Sequence, residues 1–152
     1  MQVVRLDGQT LTVAAIVEIA RNGAHVELDP ACREEIVRVR HYIDTHWLTA
    51  GAPPIYGFNT GVGKLKDYPI SPADNDRFQL NLVLSHCSGL GEPAPQDVVR
   101  AMIAIRINAF CLGVSGLRAE IVDRLVEMLN RGICPLVPLQ GSLGASGDLA
   151  PL

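Results

Sequence analysis

The chain has 152 residues, a formal net charge of -3, 48% hydrophobic and 19% charged residues. That is apolar enough for one modest domain with a core, and too apolar for a chain that stays disordered. The charge balance excludes a basic nucleic-acid surface, and no apolar run reaches the ~18 residues that a membrane-spanning helix needs.

Residues 2 to 6 read as a short strand, and Thr12 to Ala20 as a short helix closed by Asn22-Gly23, a favourable C-terminal pair. His25 to Leu28 reads as a second short strand. Asp29-Pro30 then opens a stronger helix, with a capping acid followed by proline in the first turn. Its apolar positions Ile36, Val39, Ile43 and Trp47 recur at three and four, as one buried face requires. Residues 50 to 70 break this periodicity with Pro53-Pro54 and a glycine-rich stretch. Ser71-Pro72 restarts a helix that runs to about His86 and stops at Gly89. Gln96 to about Leu112 and Leu117 to Asn130 read as two more helices, and the chain from Arg131 to Leu152 as a loop rich in proline and glycine.

The expected fold is therefore mainly α, with a few short strands near the start. The irregular apolar end at Leu149-Ala150-Pro151-Leu152 suggests a fold completed by further sequence or by a second chain. The first residues lack the charged-then-apolar layout of a signal peptide, so the expected compartment is the cytoplasm. Cys32, Cys87, Cys111 and Cys134 are scattered without any CxxC pair and read as reduced core residues. His41 and His46 stand five apart, on different faces of a helix, so no metal site is expected.

Two loops could carry chemistry. In Gly141-Ser142-Leu143-Gly144-Ala145-Ser146-Gly147-Asp148, the backbone nitrogen of Gly147 could attack the carbonyl carbon of Ala145 if the loop bends tightly. Gly147 has no side chain and tolerates unusual dihedrals, and Ala145 is small enough not to obstruct. The five-membered ring would then lose water, and loss of the Ser146 hydroxyl would leave an exocyclic methylene, an electrophile that no ordinary side chain provides. The other loop is Tyr56-Gly57-Phe58-Asn59-Thr60-Gly61-Val62-Gly63. It is not a phosphate-binding P-loop: Leu65 follows Gly63-Lys64 where serine or threonine belongs, and Phe58 stands in place of the first glycine.

The stretch from Gly141 to Leu152 closely resembles a signature of the histidine and aromatic amino-acid ammonia-lyase family, and the Tyr56 loop resembles that family's other N-terminal signature. The two lie about eighty residues apart, in the family's order. The resemblance implies an N-terminal region, residues 1–152, that leads into a bundle of long helices and is incomplete without it. It implies a 4-methylideneimidazole-5-one group made autocatalytically from Ala145, Ser146 and Gly147, with no metal and no diffusible cofactor. It also implies Tyr56 as a catalytic acid/base, a small amino acid as substrate, and a homotetramer whose active sites combine several chains.

The resemblance makes Ser85-His86 a substrate selector. Phenylalanine-specific members carry Phe-Leu there, tyrosine-specific members an aromatic or aliphatic residue followed by His, and histidine-specific members Ser-His. A polar substrate ring needs a hydrogen-bonding partner in a pocket stripped of water, which favours histidine and its product urocanate. His86 would also suit the phenol of tyrosine, and from periodicity alone it caps a helix C-terminus. Asn59 is either a substrate-side residue or an organiser of the Tyr56 loop; an Asx turn would account equally for it and for Asp148. Neither loop contains an arginine to hold a substrate carboxylate, and Arg77, Arg100, Arg106 and Arg118 read as solvated or ion-paired helix residues. A tyrosine or phenylalanine lyase, a 2,3-aminomutase, and a non-catalytic truncated homologue or small component of a split assembly stay open as alternatives.

Overall fold

The structure is a computed structural model, and it describes residues 2–141. In chain order the elements are β1 (Val3–Leu6), α1 (Val13–Ala20), β2 (His25–Leu28), α2 (Pro30–His46), α3 (Asn75–His86), β3 (Leu90–Pro93), α4 (Gln96–Phe110), α5 (Ala119–Asn130) and β4 (Pro138–Gln140). The fold is mainly α, as expected. The described chain forms two compact units. Among the described residues, one is built from residues up to Arg40 and from Gly91 to Leu139, the other from His41 to Leu90 with Gln140 and Gly141.

The first unit starts with a parallel pair, β1 beside β2, in the register Val4↔Val26 and Leu6↔Leu28, with α1 as the crossover. The alternation of a half-buried strand is visible in β1: Val4 and Leu6 are buried, Val3 and Arg5 exposed. Local signals set the helix ends. Thr12 Oγ1 accepts from the Ala15 N–H at 3.2 Å and starts α1, and Asp29 Oδ1 accepts from Ala31 N–H at 2.9 Å and starts α2. Beyond α1, Gly23 takes a φ of 67° while Ala24 N–H donates back to the Glu18 carbonyl at 3.0 Å. The core gathers Leu6, Ile19, Val26, Ile36, Ala104, Ile107, Val122 and Leu129.

Arg100 differs from its reading as a solvated or ion-paired residue. Its guanidinium donates to the Ile19 carbonyl from Nη2 at 2.8 Å and to the Leu129 carbonyl from Nη1 at 3.0 Å. One side chain on α4 thereby gives a donor to a carbonyl in the last turn of each of α1 and α5; the Leu129 carbonyl also accepts from Gly132 N–H at 3.2 Å.

Two other differences have local causes. The helix expected from Ser71-Pro72 begins only at Asn75. Ser71 and Asp74 close a turn of their own: Ser71 Oγ donates to Asp74 Oδ2 at 2.7 Å and accepts from the Asp74 N–H at 3.2 Å. The short pair β3 and β4 lies away from the chain's start, in sequences Leu-Gly-Glu-Pro and Pro-Leu-Gln. Neither has the β-branched alternation that marks a strand, so only their meeting in space makes them one.

Candidate functional site

The candidate residues that the structure describes, Tyr56, Asn59, Ser85 and His86, all belong to the second unit. Ala145, Ser146 and Gly147, with Asp148, lie outside the described residues.

Tyr56 occupies the second position of a tight turn in which Phe58 N–H donates to the Ile55 carbonyl at 3.1 Å. Gly57, the third position, has a φ of 77°, the left-handed geometry that a type II turn demands and that favours glycine. The turn pushes the tyrosine outward, and its side chain is exposed. Its hydroxyl oxygen accepts from the Gly63 N–H at 3.2 Å. With one lone pair so engaged, the O–H proton remains free to point elsewhere.

Below the turn the loop closes on itself. Gly61 N–H donates to the Tyr68 carbonyl at 2.9 Å, Ile70 N–H to the Asn59 carbonyl at 2.8 Å, and Thr60 pairs with Pro69 as an antiparallel bridge. A side chain at Gly61 would have its Cβ 2.5 Å from the Leu65 carbonyl oxygen, so the closure requires glycine there. Thr60 is buried; its hydroxyl accepts from Gly57 N–H at 3.3 Å and donates to the Gly61 carbonyl at 2.9 Å. Sequence reasoning passed over Thr60, although a hydroxyl among glycines is a signal of a loop that needs internal bonds.

Asn59 is the most heavily bonded of the candidates. Its Oδ1 accepts from Ile55 N–H at 2.7 Å, and its Nδ2 donates to the Trp47 carbonyl at 3.0 Å and the Pro53 carbonyl at 2.9 Å. The Trp47 ring meets Phe58 edge-on, with centroids 4.9 Å apart. A cavity of about 290 Å³ opens beside these rings, lined by Trp47, Phe58, Asn59, Ile70, Pro72 and Asn75 among others. Tyr56, Ser85 and His86 are not among the lining residues described. The structure thus does not gather the four candidates around one cavity.

Ser85 and His86 form the last turn of α3. Ser85 Oγ donates to the Leu82 carbonyl at 2.7 Å, and His86 Nδ1 lies 2.7 Å from the same carbonyl and 3.0 Å from Ser85 Oγ. A carbonyl only accepts, so Nδ1 carries the proton, and in the neutral ring Nε2 is an unprotonated acceptor. The arrangement recurs at the end of α2, where His46 Nδ1 lies 3.0 Å from the Tyr42 carbonyl and 2.8 Å from Thr45 Oγ1. A hydroxyl residue followed by histidine is therefore a helix ending that this chain uses twice. The helix itself is uncovered: none of its twelve residues is buried, and Leu80, Val83 and Leu84 are each about 60% exposed. Among the described residues, no group of three or more His, Cys, Asp or Glu is placed to hold a metal ion.

Comparison with known proteins supplies what the geometry does not. Residues 11–152 match a family model described as aromatic amino acid lyase. A histidine ammonia-lyase from Streptococcus gordonii is 43% identical over 150 residues, covering 99% of this chain and 29% of the relative. Among solved structures, a tyrosine aminomutase from Streptomyces globisporus superposes with a TM-score of 0.89 at 36% identity, covering 97% of this chain and 27% of that one. A histidine ammonia-lyase from Trypanosoma cruzi superposes with a TM-score of 0.84 at 34% identity, covering 99% and 28%. This chain spans less than a third of the length of each. With the match running over nearly all of its sequence, the chain belongs to the aromatic amino acid lyase family.

Proposed function

We propose that this chain is the N-terminal, electrophile-bearing region of a histidine ammonia-lyase, a cytoplasmic enzyme that converts L-histidine to urocanate and ammonia. The observation that carries the reading is the 43% identity to histidine ammonia-lyases over the whole stretch that contains both loops. Ala145, Ser146 and Gly147 suit a self-made ring: two small residues flank a serine with a hydroxyl to lose. The 4-methylideneimidazole-5-one they would form supplies an electrophilic methylene carbon for the substrate's amino nitrogen. No metal or diffusible cofactor takes part.

The chain's own residues have three tasks. Tyr56, its hydroxyl oriented by Gly63 N–H, moves a proton at the substrate's β carbon. His86 presents Nε2 as an acceptor, so the matching substrate ring must carry an N–H or O–H donor, as imidazole does and phenyl does not. Ser85 donates its hydroxyl to the same Leu82 carbonyl that accepts from Nδ1, and so helps to hold the turn that sets this tautomer.

The exposed apolar residues of α3 support the further reading that this region is incomplete alone and is covered by downstream long helices, in a homo-oligomer or with a complementary chain. A tyrosine-directed lyase or aminomutase is the second reading, because the Nε2 acceptor also suits a phenol and a tyrosine aminomutase is a structural neighbour.

The test is an intact mass and a urocanate assay on the complete assembly. Ring formation removes two waters, so the chain should weigh about 36 Da less than its sequence, and Ser146→Ala should abolish both the deficit and turnover. The 152-residue chain alone should release no ammonia from histidine. A full-mass, active enzyme, or an active Ser146→Ala variant, would refute the proposal.

A further inference from the structure

We infer that Asn59 is a positioning residue for Tyr56, and that its amide acts on the loop and not on the substrate. The inference rests on the proposed role of Tyr56. A primary amide has two N–H donors and one carbonyl oxygen. Both donors of Asn59 are occupied, by the carbonyls of Trp47 and Pro53, and the oxygen already accepts from Ile55 N–H. A substrate could bind the amide only by displacing one of these bonds or by sharing the oxygen.

Those bonds define a stitch. They tie the residue just past α2 to the stretch from Pro53 to Ile55 that leads into the Tyr56 turn, and the Asn59 carbonyl adds Ile70 from the far side through a bond of 2.8 Å. Tyr56 needs this from its backbone, because the residue is 62% exposed and, among the described residues, only the Gly63 N–H orients the hydroxyl. A shift of the turn is therefore transmitted undamped to the phenol oxygen, and a displacement of about 1 Å can cost ~10²-fold in rate. Aspartate would keep the acceptor for Ile55 and lose both donors, and serine would be too short to span the three partners.

Two measurements test the inference. In the 152-residue chain Trp47 is the sole tryptophan, so its emission reports on the stitch. Asn59→Ala should shift that emission and raise the acrylamide quenching rate, while Tyr56→Phe should change neither. In the complete assembly, Asn59→Ala should lower kcat by about 10²-fold and change KM by less than about threefold. Combined with Tyr56→Phe, it should cost little beyond the worse single variant, since a mispositioned hydroxyl and an absent one remove the same function. Asn59→Asp, which keeps one of the three bonds, should lie between the native enzyme and Asn59→Ala in kcat, and it serves in place of Asn59→Ala if that variant does not fold. A large rise in KM with unchanged kcat, or fully additive losses in the double variant, would overturn the inference in favour of substrate binding. Unchanged Trp47 emission would overturn the stitch itself. An unaffected kcat in Tyr56→Phe would instead overturn the proposed function, and with it the catalytic purpose of the stitch.

Discussion

Asn130 and Val26 exchange two hydrogen bonds: Val26 N–H donates to Asn130 Oδ1 at 2.8 Å, and Asn130 Nδ2 donates to the Val26 carbonyl at 2.9 Å. The last residue of α5 thus pairs with β2 as a third strand would, on the edge that β1 leaves open. Val26 is 1% exposed, so water cannot replace these bonds without opening the core.

Asn130→Ala should therefore destabilise the chain by about 2–3 kcal/mol, because it strands a buried donor and a buried acceptor together. Urea denaturation followed by far-ultraviolet circular dichroism measures it. A loss below about 0.5 kcal/mol would show that the edge finds other partners.

Tyr56→Phe keeps the ring and removes the hydroxyl. In the complete assembly kcat should fall by at least ~10²-fold, within the range for losing a general acid or base. A rise in KM alone would show that Tyr56 only helps to bind substrate.

His86 makes a prediction about substrate choice. With Nδ1 committed to the Leu82 carbonyl, Nε2 offers only a lone pair to a neutral partner. His86→Leu should thus lower kcat/KM for histidine at least about tenfold and cost a substrate with an unsubstituted phenyl ring little or nothing. Parallel kinetics with histidine and phenylalanine decide it; equal losses for both would assign His86 to the helix end alone.

Asp7 responds to acid. Its carboxylate accepts from the Thr10 N–H, the Gln9 N–H and the Thr10 hydroxyl, and these bonds lower its pKa to about 2. The folded value lies below the unfolded one of about 3.9, so the stabilisation is present above pH ~4 and is lost as pH falls through about 2. Asp7→Asn should make stability less sensitive to pH in that window. Titration of the Asp7 carboxyl by NMR with a midpoint near 4 would contradict it.

The thiols should differ in reactivity. Only Cys111 is a buried core residue as expected of all four; Cys32 and Cys134 are half-buried, and Cys87 is exposed because it ends α3, which has no buried residue. Burial pushes Cys111 up to about 12 and raises Cys32. With iodoacetamide at pH 8, peptide mapping should find Cys87 modified first and Cys111 only on unfolding. Equal rates for Cys87 and Cys111 would mean that the core around Cys111 opens freely.

Much of this was legible without the fold. Thr12, Asp29 and Asn22-Gly23 announce helix ends because capping is decided within a few residues, and Ile36 and Ile43 announce a buried face because helical period and burial coincide. The Tyr56 loop and the Ala145-Ser146-Gly147 triad stand out as candidates in the sequence because contiguous residue types define both. Tertiary structure decided the rest, at points where a group finds its partner far along the chain. Arg100 looks like any solvated helix arginine until the carbonyls of Ile19 and Leu129, 81 and 29 residues away, arrive beside it. β3 and β4 contain no strand pattern, and pairing across more than forty residues makes them strands. Asn59 could be read as a ligand, a loop organiser or an Asx turn; only the folded loop, which brings Trp47, Pro53 and Ile55 within bonding distance at once, shows where its donors go. A side chain's hydrogen-bonding capacity is written in its type, but which groups use it depends on distances that no local pattern encodes.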